Sequence, residues 1–274
     1  MALIGVRRAL IKPKVAVVAG PQAAAFLART SGLDARHTSL YITLINGLVA
    51  DLVWSQLDLL YILATQNSTV ALLNLTSSSF PLSAINAPTF AADQGYTGNG
   101  SNSALDTGWI ASSNGVNFVQ NSASVGFYCT NNRTAGSVAT IAGAFGTVST
   151  WVQALSNVNL AQIQFNDGAT DNASGIPNAT QGSWAYTRDS SAGGSTYRNG
   201  STSSVSTYTS TSTGLPTASM YLLAGNSSNS PFRSSADTLA AAYFGSGLSG
   251  ANFKKVSDRL NAFMAGLATP VNVY

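Results

Sequence analysis

Residues 87–109, APTFAADQGYTGNGSNSALDTGW, contain the clearest indication of how this chain folds. Short apolar segments at the two ends of the stretch enclose a cluster of Gly, Asn, Asp and Ser. These residue types are common in turns because they adopt turn geometries at little cost. Short apolar runs bounded by such clusters are typical of β-strands. The stretch therefore predicts two short strands joined by a polar connection.

Apolar runs and polar separators continue to alternate along the rest of the chain. Their spacing is typical of a β-sandwich. The predicted strands are 57–64, 89–92, 107–112, 124–130, 138–145, 160–165, 184–188, 203–209, 220–224 and 239–245.

Helices are predicted near both ends of the chain. Pro21 suits the first turn of a short helix, and Thr38 can act as the N-cap of a second one. Another short helix is expected over 68–75. Ser249 precedes apolar residues at helical spacing, which predicts a C-terminal helix over 249–267. The chain then divides into an arm (1–20), a helical region packed on the sandwich (21–75) and the sandwich with its terminal helix (76–274).

Composition favours a packed, nearly neutral protein. Of the 274 residues, 45% are hydrophobic and 8% are charged, and the formal net charge is +3. Typical soluble domains contain about 25% charged residues. The hydrophobic content argues against disorder. The expected product is a β protein whose surface is rich in hydroxyl and amide groups.

The stretch 87–109 resembles the start of concanavalin A-like (laminin-G-like) jelly-roll lectin domains, in particular those of bacteriophage and prophage virion proteins of alphaproteobacterial type. Two upstream segments extend the resemblance, LINGLVADLVW at 44–54 and LDLLYILAT at 57–65. The resemblance implies a mainly β jelly-roll sandwich in a tail-fibre, head-fibre or capsid decoration protein. It also implies a place on the virion surface and contact with host surface polysaccharide. Repetition strengthens weak glycan binding, so a homo-oligomer is expected.

The N-terminal arm combines basic and apolar residues. An extended apolar segment can add a strand to a partner's sheet, so the arm is expected to hold other virion subunits. The candidate attachment residues are Arg7, Arg8, Leu10, Ile11, Lys12 and Lys14. Residues 7–12 also resemble a twin-arginine export signal, which would make the protein an exported, lectin-like surface protein of a bacterium. Because no stretch is apolar for about 18 residues, no membrane partner is expected. A nucleic-acid partner is not expected either.

Residues suited to catalysis are scarce in this sequence. The chain contains no Glu, one His and one Cys. His37 is expected at the surface beside a helix, and a Ser-His-Asp triad would have no other base. Glucanases built on related sandwiches resemble one another in an E-x-D-x-x-E strand, which a chain without Glu cannot contain. We therefore expect a non-enzymatic protein, and a polysaccharide depolymerase that uses two Asp is the alternative.

Asp167 and Asp171 form a weak candidate metal site. They lie in a segment rich in Asp and Asn, whose oxygens suit Ca²⁺. Calcium usually takes six or more oxygens, and two carboxylates fall short of that number. No cofactor is therefore expected, with calcium as the remaining candidate.

Glycan recognition requires aromatic faces beside polar donors and acceptors. The C-terminal half of the chain offers such mixtures around two short segments, with one further Trp upstream. The candidate glycan-binding residues are Trp109, Trp184, Tyr186, Arg188, Tyr197, Arg198 and Asn199. The alternative is that these large rings belong to the core, because their apolar faces favour burial.

Overall fold

Most of the described chain forms two stacked β-sheets, with helices packed against one of them. The computed structural model describes residues 17–132, 138–153, 161–168, 171–173 and 180–271. The helices are α1 (Pro21–Leu27), α2 (Ala35–Ala50), α3 (Ser68–Ala71), α4 (Ala111–Asn114) and α5 (Gly250–Ala265), and Trp54–Gln56 forms a 3-10 turn.

The strands are short and follow one another closely along the chain. In chain order they are β1 (Leu57–Ile62), β2 (Ser83–Ile85), β3 (Thr89–Ala91), β4 (Gly95–Thr97), β5 (Ala104–Ile110), β6 (Ala123–Cys129), β7 (Ala142–Phe145), β8 (Ser149–Gln153), β9 (Ala161–Asp167), β10 (Asp171–Ala173), β11 (Gly182–Ser190), β12 (Gly193–Arg198), β13 (Ser206–Thr209), β14 (Ser219–Leu222), β15 (Gly225–Ser227), β16 (Ser230–Phe232) and β17 (Thr238–Gly245).

These strands pair into two sheets, here called sheet I and sheet II. Sheet I has the order β13-β12-β11-β6-β17-β4-β3, and β1 pairs with the other end of β17. Sheet II has the order β10-β9-β8-β7-β14-β5-β2. The hairpin of β15 and β16 joins sheet II through a parallel pairing of β15 with β7, whereas the other pairings are antiparallel.

The main core fills the space between the two sheets. Successive residues of a strand point to opposite faces, so alternate positions supply its side chains. Phe127, Trp184 and Phe244 come from sheet I, and Val152 and Ile163 come from sheet II. Removal of this apolar surface from water is the dominant favourable contribution to folding.

A second core lies on the outer face of sheet I. Its apolar side chains, such as Leu60 and Tyr243, pack under α1, α2 and α5. The N-terminus of α5 is fixed by Ser249, whose side chain accepts a hydrogen bond from the Asn252 N–H. The protein is therefore a three-layer structure in which both faces of sheet I are buried.

The predicted fold class is confirmed: a mainly β sandwich with helices before it and a C-terminal helix. Each predicted strand overlaps an observed one, and Ser249 caps α5 as expected. The second helix begins earlier than predicted. Asp34, not Thr38, is its N-cap, because the Asp34 carboxylate accepts the His37 N–H at 2.8 Å.

Two further observations concern the N-terminal part. Strand β1, within the region predicted to be helical, is an integral strand of sheet I. Residues 1–16, which include the six predicted attachment residues, lie outside the described residues. Among the described helices, none is both long and apolar enough to span a membrane.

Candidate functional site

Three of the rings predicted to bind glycan lie inside the core. Trp109 is 1% exposed, and Trp184 and Tyr186 are 0% exposed. The Trp184 indole N–H donates to the Thr180 carbonyl oxygen at 2.9 Å. An exposed platform at these positions was therefore the wrong prediction. Strand alternation points Trp184 and Tyr186 of β11 into the space between the sheets.

Arg188, on the same strand, is also buried, and its donors are used within the protein. Its Nε donates to the Phe165 carbonyl oxygen at 2.7 Å, and its Nη2 lies 3.2 Å from Asp167 Oδ2. Its Nη1 donates to the Ser210 carbonyl oxygen at 3.0 Å. The pair of Arg188 and Asp167 is fully buried, so Arg188 links β11 to sheet II and does not face a ligand.

This arrangement engages one of the two residues of the weak metal candidate. Asp167 faces the Arg188 guanidinium and the Ser210 hydroxyl. The backbone of Asp171 lies in β10, but its side chain is outside the described part of the structure. Calcium binding stays a prediction that these contacts do not test.

The remaining predicted residues, at the end of β12, also make internal contacts. Tyr197 stacks on Phe253 of α5 with 5.8 Å between ring centroids. The Arg198 guanidinium lies 4.8 Å from the centroid of Trp184 and donates to the Gln181 carbonyl oxygen. Asn199 accepts the Ser183 N–H through its side-chain oxygen. These contacts hold β12 and α5 together.

A groove with an accessible aromatic ring lies elsewhere, where the helical layer meets the sandwich. We call it the Trp54 groove. Its first half, of about 320 Å³, is lined by Gln22, Ala25, Arg29, Trp54, Thr76 and Ser77. Its second half, of about 280 Å³, is lined by Asp58, Thr76, Ser77, Phe80, Val116 and Trp109, so the largely buried Trp109, one of the predicted glycan-binding residues, borders this groove. Thr76 and Ser77 border both halves, so the two parts are neighbours on the surface.

Trp54 is positioned by the connection between α2 and β1. Its neighbour Val53 is fully buried, and Trp54 begins the 3-10 turn that leads into β1. The Trp54 ring packs against the helical-layer core and also lines the groove, and it is half-buried. Within the described residues its indole N–H has no hydrogen-bond partner. The ring therefore offers an apolar face and a free donor.

Arg29 of the α1 end holds one wall of the groove in place. Its Nη1 donates to the Ser77 carbonyl oxygen at 2.7 Å, and its Nη2 donates to the Asn74 carbonyl oxygen at 2.9 Å. Its Cζ lies 5.4 Å from the centroid of Phe26, and partial burial lowers the pKa of Arg29. The charge of Arg29 is thus used to fix loop 74–77.

Asp58 organises the second half in a similar way. Its carboxylate accepts the backbone N–H groups of Val116, Asn117 and Phe118 at 2.9–3.1 Å, together with the Asn117 amide. The arrangement fixes the loop after α4 against the start of β1. These donors occupy most of the acceptor positions of the carboxylate, so few remain for a ligand.

Other polar groups of the groove are free for a ligand. Gln22 and Ser78 make no hydrogen bond through their side chains to any described residue. The buried Tyr61 hydroxyl, which does not line the groove, donates to the carbonyl oxygen of the lining residue Phe80 at 2.7 Å. Burial raises the pKa of Tyr61, so this hydroxyl remains a donor at ordinary pH. A half-buried ring is thus bordered by fixed loops and free hydroxyl and amide groups.

His37 is buried, contrary to the expected surface position. It is 3% exposed, and its two ring nitrogens lie 2.8 Å from Asp34 Oδ1 and Asp93 Oδ1. Asp93 also accepts the Ala268 N–H at 3.0 Å. His37 therefore links the start of α2 to the loop before β4 and to the segment after α5.

Sequence reasoning missed Trp54 as a site residue. The residue was assigned to an apolar segment that precedes a strand, where burial is the ordinary outcome. No sequence signal marked it, because the positive φ of Leu52 (60°) and the 75% exposure of its side chain, which place Trp54 next to a turn, are visible only in the structure. A ring next to such a turn lies at the border of the core.

Comparison with known proteins yields distant structural similarity alone. No protein-family model and no curated protein matches the sequence. Domain 4 of AbnA, a GH43 extracellular arabinanase from Geobacillus stearothermophilus solved with arabinotriose, is 15% identical over 73% of this chain and 98% of that one, with a TM-score of 0.47. A Trypanosoma rangeli sialidase mutant is 12% identical over 81% of this chain and 39% of that one, also with a TM-score of 0.47.

A mutant of HCR/D has a similar relation to this chain. It is 12% identical, with a TM-score of 0.48, over 73% of this chain and 52% of that one. Values of this size carry no conclusion about ligand or activity.

Proposed function

We propose that this protein is a non-enzymatic glycan-binding module whose ligand lies in the Trp54 groove. The observation that supports this most strongly is the half-buried Trp54 ring, with its free N–H, among hydroxyl and amide groups. Binding sites for small ligands combine apolar or aromatic walls with a few placed polar groups. A sugar ring offers C–H groups for an indole face and hydroxyls for such polar groups.

The charges of the groove favour a neutral saccharide. Arg29 is engaged by backbone carbonyls, and Asp58 is engaged by backbone N–H groups. These two side chains are the charged groups among the described lining residues, and their opposite signs give the groove a net formal charge of zero. Recognition would then depend on stacking and on neutral hydrogen bonds.

The same geometry supports binding over hydrolysis. Glycosidases generally use two carboxyl groups separated by roughly 5–9.5 Å. Asp58 is the carboxylate among the described lining residues, and it already accepts hydrogen bonds from three backbone N–H groups. A second carboxyl group facing it is not among those lining residues. A depolymerase is therefore the less supported alternative.

The place of the module on a bacteriophage or phage-like particle is a further part of the proposal. It rests on the resemblance of segments 44–54, 57–65 and 87–109 to virion proteins, with residues 1–20 as the attachment to other subunits. A homo-oligomeric array would raise the avidity of a shallow groove. An exported bacterial lectin would contain the same groove, so localisation of the protein in purified particles by electron microscopy separates the two.

Binding is tested with the full chain on an array of neutral oligosaccharides, followed by titration calorimetry with the strongest ligand. Trp54→Ala should weaken binding at least about tenfold, which corresponds to about 1.4 kcal/mol. Trp54→Phe should retain part of the affinity. Leu52→Ala is the matched control, because Leu52 is exposed two residues away and does not line the groove.

The absence of any neutral-glycan binding by the intact chain would contradict the proposal, as would equal loss in Trp54→Ala and Leu52→Ala. Release of reducing ends from the bound glycan would show that the depolymerase alternative is correct.

A further inference from the structure

The hairpin of β15 and β16 positions a second aromatic cluster, on sheet II. Its turn residues Ser228 and Asn229 have φ values of 53° and 61°, as in the tight turns that join two-residue hairpins. Gly225 lies against the Phe145 ring, where a Cβ would be 2.1 Å from Phe145 Cε2. The absence of a side chain at Gly225 therefore lets the ring pack directly on the hairpin.

Three rings of this cluster surround one guanidinium. Phe145 stacks on Trp151 with 5.3 Å between centroids, and meets Phe232 edge to face at 5.2 Å. The Arg233 Cζ lies 5.6 Å from the centroid of Phe145, 5.5 Å from Trp151 and 5.2 Å from Phe232. Contacts of this kind hold a cation by its attraction to the ring faces.

The Arg233 guanidinium differs from the other half-buried or buried arginines in its hydrogen bonds. Arg188 and Arg29 donate to acceptors of the protein on several sides. Arg233 is half-buried, and among the described residues it has no ion pair and no side-chain hydrogen bond. Its N–H groups are therefore oriented by the rings but not used.

The backbone at Arg233 is also held in an uncommon conformation. Its φ is 54°, a left-handed value that a residue with a Cβ adopts at a cost. The Arg233 carbonyl oxygen accepts the Thr140 N–H at 2.7 Å, which fixes the turn after β16. Ten other non-glycine residues of the described chain also have a positive φ, so this conformation fixes the position of Arg233 but does not by itself mark a site.

The side chains around the guanidinium determine the kind of ligand that fits. Phe232 is 44% exposed and offers an apolar face beside the charge. Ser228, Asn229 and Ser230 on the hairpin are exposed and offer hydroxyl and amide groups. The planar N–H fork of Arg matches a carboxylate in two parallel hydrogen bonds, which Lys cannot reproduce.

From these contacts we infer that Arg233 and Phe232 form a second binding site, which takes the carboxylate of an acidic saccharide. The carboxylate pairs with the guanidinium fork, and the sugar ring lies on Phe232. This site is separate from the Trp54 groove and does not depend on the function proposed for it. It gives the chain one neutral and one acidic saccharide site.

Titration calorimetry of the full chain with trigalacturonic acid, and with its neutral methyl ester, tests the inference. Arg233→Gln should weaken binding of the acid at least about tenfold, because a charged hydrogen-bonded pair is lost. The matched control is Arg36→Gln, which removes the same charge from an exposed position on α2. Arg36→Gln should leave binding unchanged, and the methyl ester should bind much more weakly than the acid.

Four results would overturn the inference. They are no binding of the acid by the intact chain, equal loss in Arg233→Gln and Arg36→Gln, equal binding of the methyl ester, and equal binding of inorganic sulfate, which would indicate a simple anion site. A fifth separates this site from the groove: if Trp54→Ala abolishes binding of the acid while Arg233→Gln preserves it, the acid occupies the Trp54 groove. That outcome rejects the second site and leaves the first intact.

Discussion

Trp54 and Trp184 each lie near an arginine, but the two positions differ in what can reach them. The Arg198 guanidinium covers the Trp184 ring at 4.8 Å, and Trp184 is completely buried between the sheets. Arg29 and Trp54 line the same half of one groove, and Trp54 is half-buried. Trp184 belongs to β11, a strand with neighbours on both sides and layers on both faces. Trp54 belongs to a connection at the border of two layers.

The comparison shows that residue types alone do not identify a binding site in this fold. Aromatic, Arg and amide side chains around positions 184–199 match the chemistry of glycan recognition, but they hold β11, β12 and α5 together. Similar residue types at Trp54 remain accessible because the chain there is not covered by a further layer. The predictions below separate structural from binding roles at these positions.

The largest expected effect is on stability at Trp184. Trp184→Ala should lower the free energy of unfolding by about 3–5 kcal/mol, because a fully buried large side chain leaves a cavity. Trp54→Ala should cost clearly less, since part of that ring already contacts water. Urea denaturation followed by circular dichroism measures both. Equal losses would remove the structural basis of the comparison.

The buried ion pair on the same strand should show a loss of similar size. Arg188→Ala removes the Arg188 guanidinium from the buried Asp167 carboxylate, and the loss of one partner from such a pair costs about 3–5 kcal/mol. Arg233→Ala, which breaks no ion pair among the described residues, is the control and should cost less. Thermal unfolding of both variants measures the loss of stability. A smaller loss for Arg188→Ala than for Arg233→Ala would contradict the assigned contacts.

Arg29 should affect both stability and ligand binding, to a lesser extent. Arg29→Ala removes the hydrogen bonds to the carbonyl oxygens of Ser77 and Asn74, at a cost of about 1–2 kcal/mol. Loop 74–77 forms the groove wall, so affinity for the neutral glycan should fall. A neutral glycan forms no ion pair with Arg29, so this effect comes through the position of the loop. Arg29→Lys should restore part of the stability. Unchanged affinity in a destabilised Arg29→Ala would show that the wall does not contact the ligand.

The smallest expected effect is the dependence of stability on acid pH. Hydrogen bonds from the His37 backbone and side chain lower the pKa of Asp34, and the Arg259 side chain lowers the pKa of Asp51. Their contributions are present above the unfolded-state value of about 3.9 and are lost as the pH falls through the lower folded-state pKa. Stability should therefore decrease below about pH 4, and the double variant Asp34→Asn, Asp51→Asn should show a shallower decrease. An identical slope would contradict these shifts.

The sequence predicted the sandwich because local patterns determine its strands and turns. The connections rich in Gly, Asn and Ser, together with the cap at Ser249, are readable from neighbouring residues. Which face of β11 would be enclosed was not readable, because it depends on sheet II and on α5. The burial of His37 likewise depends on Asp93, which lies 56 residues away in sequence.

The site was less predictable than the fold for a related reason. The Trp54 groove exists because the Asp58 carboxylate accepts hydrogen bonds from residues 116–118 and Arg29 donates to the loop at 74–77. These contacts join segments more than 40 residues apart. No local pattern near Trp54 encodes them, so the groove emerges only when the layers are assembled.

Fluorine NMR of the full chain labelled with 5-fluorotryptophan tests the central claim most directly. The four tryptophans give four resonances, assigned by Trp→Phe variants. Addition of the strongest neutral oligosaccharide should shift the resonance of Trp54 and leave those of Trp151 and Trp184 in place, because neither of these two lines the groove, whereas Trp109 borders its second half. A shift at Trp184 with Trp54 unchanged would contradict the claim that the ligand lies in the groove and that the predicted ring belongs to the core.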